Sequence, residues 1–179
     1  MSTPMTAGLP IARNRIAAAW GAAGVVGICS FAIWRLTPYT VEAVAAGLSA
    51  LQWVALLINV AFMAWSEGYR GFQQSFAPRV AARVLYLYRM PMPWWMRVLA
   101  PLFCIGYFRA SRRARIGAWA GTLGIVVLVL LVYQLPQPWR GIVDAGVVVG
   151  LSWGVASLVL ACARAAVGGE CQASHEVPE

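Results

Sequence analysis

Along the chain, long stretches almost free of charge alternate with short polar segments. Four apolar runs stand out, at residues 16–34, 43–65, 116–135 and 142–162. As an α-helix the first would be about 28 Å long, enough to cross a hydrocarbon core of about 30 Å. Arg35 and the Thr37-Pro38-Tyr39 triplet are expected to end it. Gln52 and Asn59 are the strongly polar members of the second run, and Pro136-Gln137-Pro138 closes the third, since proline lacks a backbone donor and restrains its predecessor. Trp20, Trp34, Trp65, Trp119, Tyr133 and Trp139 fall near the run ends, where an interfacial aromatic belt belongs. The pattern predicts an all-α integral membrane protein, a single membrane domain of four transmembrane helices in two hairpins.

Between the second and third runs, residues 66–115 form an Arg-rich segment that reads as more than a linker. Pro78 to Arg89 has the period of an amphipathic helix. Arg79, Arg83 and Tyr86 are expected on one face and Val80, Val84 and Leu87 on another, with the arginines turned toward lipid phosphate. Pro91-Met92-Pro93-Trp94-Trp95 should break it. Val98 to Phe108 is apolar but short and interrupted by Pro101, which predicts a re-entrant, interfacial or bundle-buried stretch. A fifth span from Trp94 to Phe108 is the alternative, and would carry Arg97 into the membrane.

Composition supports the membrane class: 61% of residues are apolar and 11% charged, against about 25% charged in ordinary soluble domains. The net charge of +8 comes from arginines beside apolar runs. It therefore points to anionic lipid rather than to nucleic acid. With four spans, twelve of the fourteen arginines fall on one side, in the N-terminal tail, the 66–115 segment and Arg164, leaving Arg35 and Arg140 opposite. The positive-inside rule then makes both termini cytoplasmic, in a bacterial inner membrane. Arg13 and Arg15 before an apolar run resemble a signal peptide, but the run is too long and lacks a small-residue cleavage site. Ile28 before Cys29 likewise argues against a lipoprotein site. Cys29, Cys104, Cys162 and Cys171 form no CxxC pair, so neither a disulfide framework nor a zinc site is expected. Residues 165–179 are a polar tail.

Small residues suggest packing faces. Gly146, Gly150 and Gly154 recur every four positions, as do Gly117 and Gly121, and Ala17/Gly21 and Ala23/Gly27. Their partner could be another helix of the chain, a second copy or a different protein. Gly-Leu-Ser recurs at 47–49 and 150–152, downstream of Trp-Arg at 34–35 and 139–140. The offsets differ, so chance similarity is the simpler reading than a repeat.

Candidate chemistry gathers at Ser66-Glu67-Gly68-Tyr69-Arg70-Gly71-Phe72-Gln73-Gln74. If the second helix continues, Asn59, Glu67, Arg70 and Gln74 share a face, with Gln73 alongside. Glu67 could be an ion-pair hub, a proton acceptor or a ligand for a cationic group. The simplest expectation is a Glu67–Arg70 pair that locks the helix end, with Gly68 and Gly71 as possible breakers. Asp144 and Glu42 read as first-turn acids favoured by helix dipoles, Asp144 near Arg140. His175, the one histidine, lies in the tail, so no bis-histidine haem site, histidine-bearing triad or His-rich metal site is expected. There is no Walker-type loop and no HExxH motif. No cofactor is expected.

These features point to a non-catalytic accessory, assembly or scaffold component. Small-residue helix faces would meet a protein partner or a second copy. Arg79, Arg83, Arg112, Arg113 and Arg115 would bind anionic lipid. The alternative is a small membrane enzyme or carrier for a lipid-like or phosphorylated substrate. There Asn59, Glu67, Arg70, Gln73 and Gln74 would form the site, and the arginines would clamp phosphate.

Overall fold

A computed structural model describes residues 10–90 and 93–168, and all its regular structure is helical. The elements are α1 (Pro10–Ala45), α2 (Ala50–Met63), a π-helical segment (Ala64–Phe76), α3 (Ala77–Arg89), α4 (Trp94–Val98), α5 (Ala100–Ile105), α6 (Arg112–Tyr133) and α7 (Trp139–Gly168). Four helical stretches are long and apolar enough to cross a membrane: Arg15–Ala45, Ala50–Arg89, Arg112–Tyr133 and Trp139–Gly168. Residues 165–168 of the expected tail continue α7, whereas Cys171 and His175 lie outside the described residues.

The first helix does not stop at Arg35. It runs through Pro38 to Ala45. Pro38 cannot donate to the Trp34 carbonyl, but Thr37 directs its hydroxyl to the Ile33 carbonyl at 2.7 Å. Packing against α7 also holds this stretch: Gly141 lies where a β-carbon would strike Ala43 and the Tyr39 carbonyl. The turn falls instead at residues 46–49. Gly47 there adopts φ +84°, and Ser49 caps α2 reciprocally with Gln52. The second helix thus begins seven positions later than the apolar run suggested. Glu42, expected in its first turn, sits in the last turn of α1. The two Gly-Leu-Ser triplets occupy unlike places, a turn and a helix interior.

Beyond Met63 the chain stays helical to Arg89, giving 40 continuous residues. Neither Gly68 nor Gly71 breaks it. Rather than lying apart as a separate surface helix, α3 prolongs the second helix.

The two helices flanking the first turn meet through α7 rather than along each other. α7 packs against α1 on one side and against α2 and the π-helical segment on another. Its contacts show it antiparallel to α1 and parallel to α2. The buried core lies at the Arg-rich end, where Val25, Val80, Leu87, Met96, Phe103, Cys104 and Leu158 are almost wholly enclosed. Residues 94–108 contribute to that core as two short helices of 5 and 6 residues, broken at Leu99. Pro101 seats on Gly24 of α1, and Cys104 and Ala100 close over Gly21. They do not form a fifth span. Burial pushes the Cys104 thiol up to about 12, with the neighbouring Cys162 adding to the effect and Arg83 opposing it.

The arrangement of α6 is different. Ser111 caps its start, accepting from the Ala114 amide at 3.3 Å. Yet none of its 22 residues is buried. It touches the rest of the described chain near its middle, through Tyr107 against Thr122 and Trp119, and at its C-terminal end through the turn into α7.

Candidate functional site

The polar cluster singled out in the sequence lies almost entirely on the π-helical segment. π-Helical hydrogen bonds run from i to i+5, so residues five apart stack on one face. That register explains the contacts with α7. Glu67 and Phe72 face Gly150 and Gly154, while Gly68 and Gln73 face Trp153. The Trp153 indole Nε1 donates to Gln73 Oε1 at 2.8 Å, and the indole lies against Gly68. About two turns before Glu67, in ordinary α-helix, Asn59 Nδ2 donates to the carbonyls of Ile142 at 2.8 Å and Val143 at 3.3 Å. Gly146 makes room for it.

The glycine stripe of α7 therefore receives Asn59, Glu67 and Phe72 in turn. A β-carbon at Gly150 would come within 2.9 Å of Glu67 Oε2, and one at Gly154 within 2.5 Å of the Phe72 ring. Gly117 and Gly121 are placed otherwise: a β-carbon at either would meet nothing within 4 Å among the described residues.

Glu67 and Arg70 do not form the expected ion pair. The π register turns Arg70 and Gln74 to the exposed side and Glu67 toward α7. No cation of the described residues lies within ion-pair distance of Glu67, and its Oε2 is buried without a hydrogen bond. Asn59 and Glu67 are thus brought to one seam. Arg70 and Gln74 are not. Gln73 is engaged by Trp153.

The arginines divide in the same way. Arg112, Arg113 and Arg115 are exposed in the first turn of α6. Arg79 is half-buried and folds back on Ser75, its Nε donating to the backbone carbonyl at 2.9 Å. The expectation that Arg83 faces lipid phosphate is corrected: it is 2% exposed. At about 100° per residue it lies about 60° from Val80 and about 40° from Leu87, beside the arc that packs inward. Its Nη1 donates to the Phe103 carbonyl at 2.8 Å, and its guanidinium lies 5.4 Å from the Phe103 ring. It thereby satisfies a carbonyl at the end of α5, just before Gly106 turns the chain at φ +106°.

At the opposite end of the bundle the sequence reading missed a second polar assembly. Arg140 packs on Tyr39 and Tyr133 and approaches Asp144 at 3.8 Å. Gln137 links the Tyr39 carbonyl, the Glu42 carboxylate and the Gly141 amide. Its members come from three separate segments, and only the Arg140–Asp144 spacing of four was visible beforehand. No group of three or more metal-binding side chains occurs among the described residues.

No protein-family model, curated protein or solved structure matches this chain.

Proposed function

We propose that the chain is an accessory or assembly component of a bacterial inner membrane, inserted as four spans with both termini cytoplasmic. In this reading its helices meet a protein partner or a second copy, and its basic end meets anionic lipid. The observation that carries it is α6. A helix of 22 apolar-rich residues with no buried member, and with Gly117 and Gly121 open on one side, is suited to packing against something outside this chain. Small residues allow the close backbone approach by which helices associate in lipid.

The arginines of α6 add support. Three cations in a first turn oppose the helix dipole, each costing on the order of 0.3–1 kcal/mol. Lipid phosphate at that position would reverse the sign. Arg70, Arg112, Arg113 and Arg115 are therefore the lipid-facing set, with Arg79 at its margin.

Extraction of the natively expressed protein in lipid-preserving polymer tests the reading, with particle mass and co-purifying proteins determined by mass spectrometry. A stoichiometric partner or a dimer that Gly121→Leu abolishes is the expected result. A lone monomer, unchanged by Gly121→Leu, would overturn it. Resistance of the protein to alkaline carbonate extraction separately reads membrane insertion.

Glu67 favours a second reading, an enzyme or carrier for a lipid-like or phosphorylated substrate. The carboxylate has no ion-pair partner among the described residues and sits on a π-helical stretch, a geometry found often at functional sites. Glu67→Gln distinguishes the two. A folded variant that keeps its partner supports the accessory reading. A folded variant that loses turnover of a co-purifying lipid or metabolite supports the enzyme.

A further inference from the structure

Arg140 is held unlike the other arginines. Its guanidinium carbon lies 3.8 Å from the centroid of the Tyr39 ring and 4.9 Å from that of Tyr133. Its Nε is directed to Asp144 Oδ2 at 3.8 Å, and both atoms are buried without a hydrogen bond. Asp144 itself is only 3% exposed. Close by in the assembly, Gln137 Oε1 takes the Gly141 amide and Glu42 Oε2 takes Gln137 Nε2. Neither Nη of Arg140 makes a hydrogen bond among the described residues, and neither is buried.

A guanidinium carries five N–H donors in a fixed fork. Here two rings fix the plane and the acid fixes the Nε side. The edge that remains accessible is the pair of Nη groups. That edge matches two oxygens of one anionic group.

We infer that Arg140 anchors an oxyanion site for a phosphate group at the end of the bundle away from the arginine-rich segment. Asp144 positions the guanidinium from behind, and Tyr39 and Tyr133 wall it. The choice of phosphate rests on the membrane-spanning reading, which sets Tyr39, Tyr133 and Trp139 at headgroup depth. The phosphate could belong to a lipid headgroup or arrive free from the aqueous side.

The test uses the full chain in detergent and in nanodiscs, as wild type, Arg140→Lys and Arg140→Gln, with helix content checked by circular dichroism. Phosphatidylcholine is the lipid probe, since it presents a phosphodiester without the net charge that would draw it to the other arginines. Inorganic phosphate is the free probe. Native mass spectrometry counts retained lipid, and phosphorus NMR titration reads phosphate binding. Wild type is expected to hold one more lipid per chain than either variant, or to bind phosphate about tenfold more tightly than they do, as loss of a bidentate charged contact implies. Arg140→Lys keeps the charge and the neighbour of Asp144 while removing the fork, so it remains informative if Arg140→Gln does not fold. A difference in lipid alone assigns the headgroup, and a difference in inorganic phosphate assigns the free anion. Equal binding of both probes by wild type and a folded variant would overturn the site. Failure of membrane insertion would show in carbonate extraction and leave the phosphate titration readable.

Discussion

Alanine at the glycines of α7 and α6 should have opposite effects, because the space beside them differs. In an exposed helix, replacing glycine by alanine gains about 1 kcal/mol by reducing backbone freedom. Gly117 and Gly121 have nothing within 4 Å of a new β-carbon, so the gain is retained there. At Gly154 the new methyl would lie 2.5–2.8 Å from three carbons of the Phe72 ring. Overpacking of this kind costs about 1–3 kcal/mol, which cancels or exceeds the gain. Gly150→Ala meets Glu67 Oε2 at 2.9 Å and the Met63 carbonyl oxygen at 3.3 Å, and the backbone oxygen cannot swing aside. Gly141→Ala is the most severe, since it meets the Tyr39 backbone as well as Ala43. Thermal melting of monomeric protein in micelles, followed by circular dichroism, reads the difference. For a chain of this size about 1 kcal/mol corresponds to roughly 2–4 °C. Gly121→Ala is expected to melt a few degrees above wild type, with Gly150→Ala and Gly141→Ala below it and Gly154→Ala at or below it. A Gly141→Ala protein as stable as wild type, or a monomeric Gly121→Ala protein that melts lower, would refute the assignment of which helix faces are packed.

Arg83→Met should cost about 2–3 kcal/mol, since it leaves the Phe103 carbonyl without its charged donor; chymotrypsin cleavage within residues 94–108 should rise, and unchanged protection would count against the role. Asn59→Ala should cost about 1 kcal/mol through loss of its bonds to α7, measured by the same melting assay. The buried Cys104 thiol, held protonated up to about 12, should make stability pH-dependent. Above about pH 9 the unfolded chain releases this proton and the folded one does not. The stability of wild type relative to Cys104→Ala should therefore fall as pH rises from 9, and a flat difference would argue against burial of that thiol.

Much of this protein is written in one dimension. The four apolar runs, their lengths and the crowding of arginine into 66–115 follow from local composition, because a helix that must shed water declares itself residue by residue. The glycine spacing of α7 was legible for the same reason, as it needs only the helical period. What a run packs against is not local. Pro38 stays inside α1 because α7 supports the surrounding turn, so a breaker was overridden by contacts a hundred residues away. Arg83 turned inward because α5 offered it a carbonyl and a ring. Over 64–76 the change from α to π register moved Arg70 off the seam and left Glu67 facing glycine, undoing a pair that the α-helical period had predicted. The Tyr39–Arg140–Tyr133 assembly exists only where α1, α6 and α7 come together. Sequence determined which segments are apolar enough to be long helices, though not where each helix ends, since apolarity depends on each residue and its near neighbours. Tertiary structure decided which polar groups are paired, buried or left open, since those energies depend on partners distant along the chain.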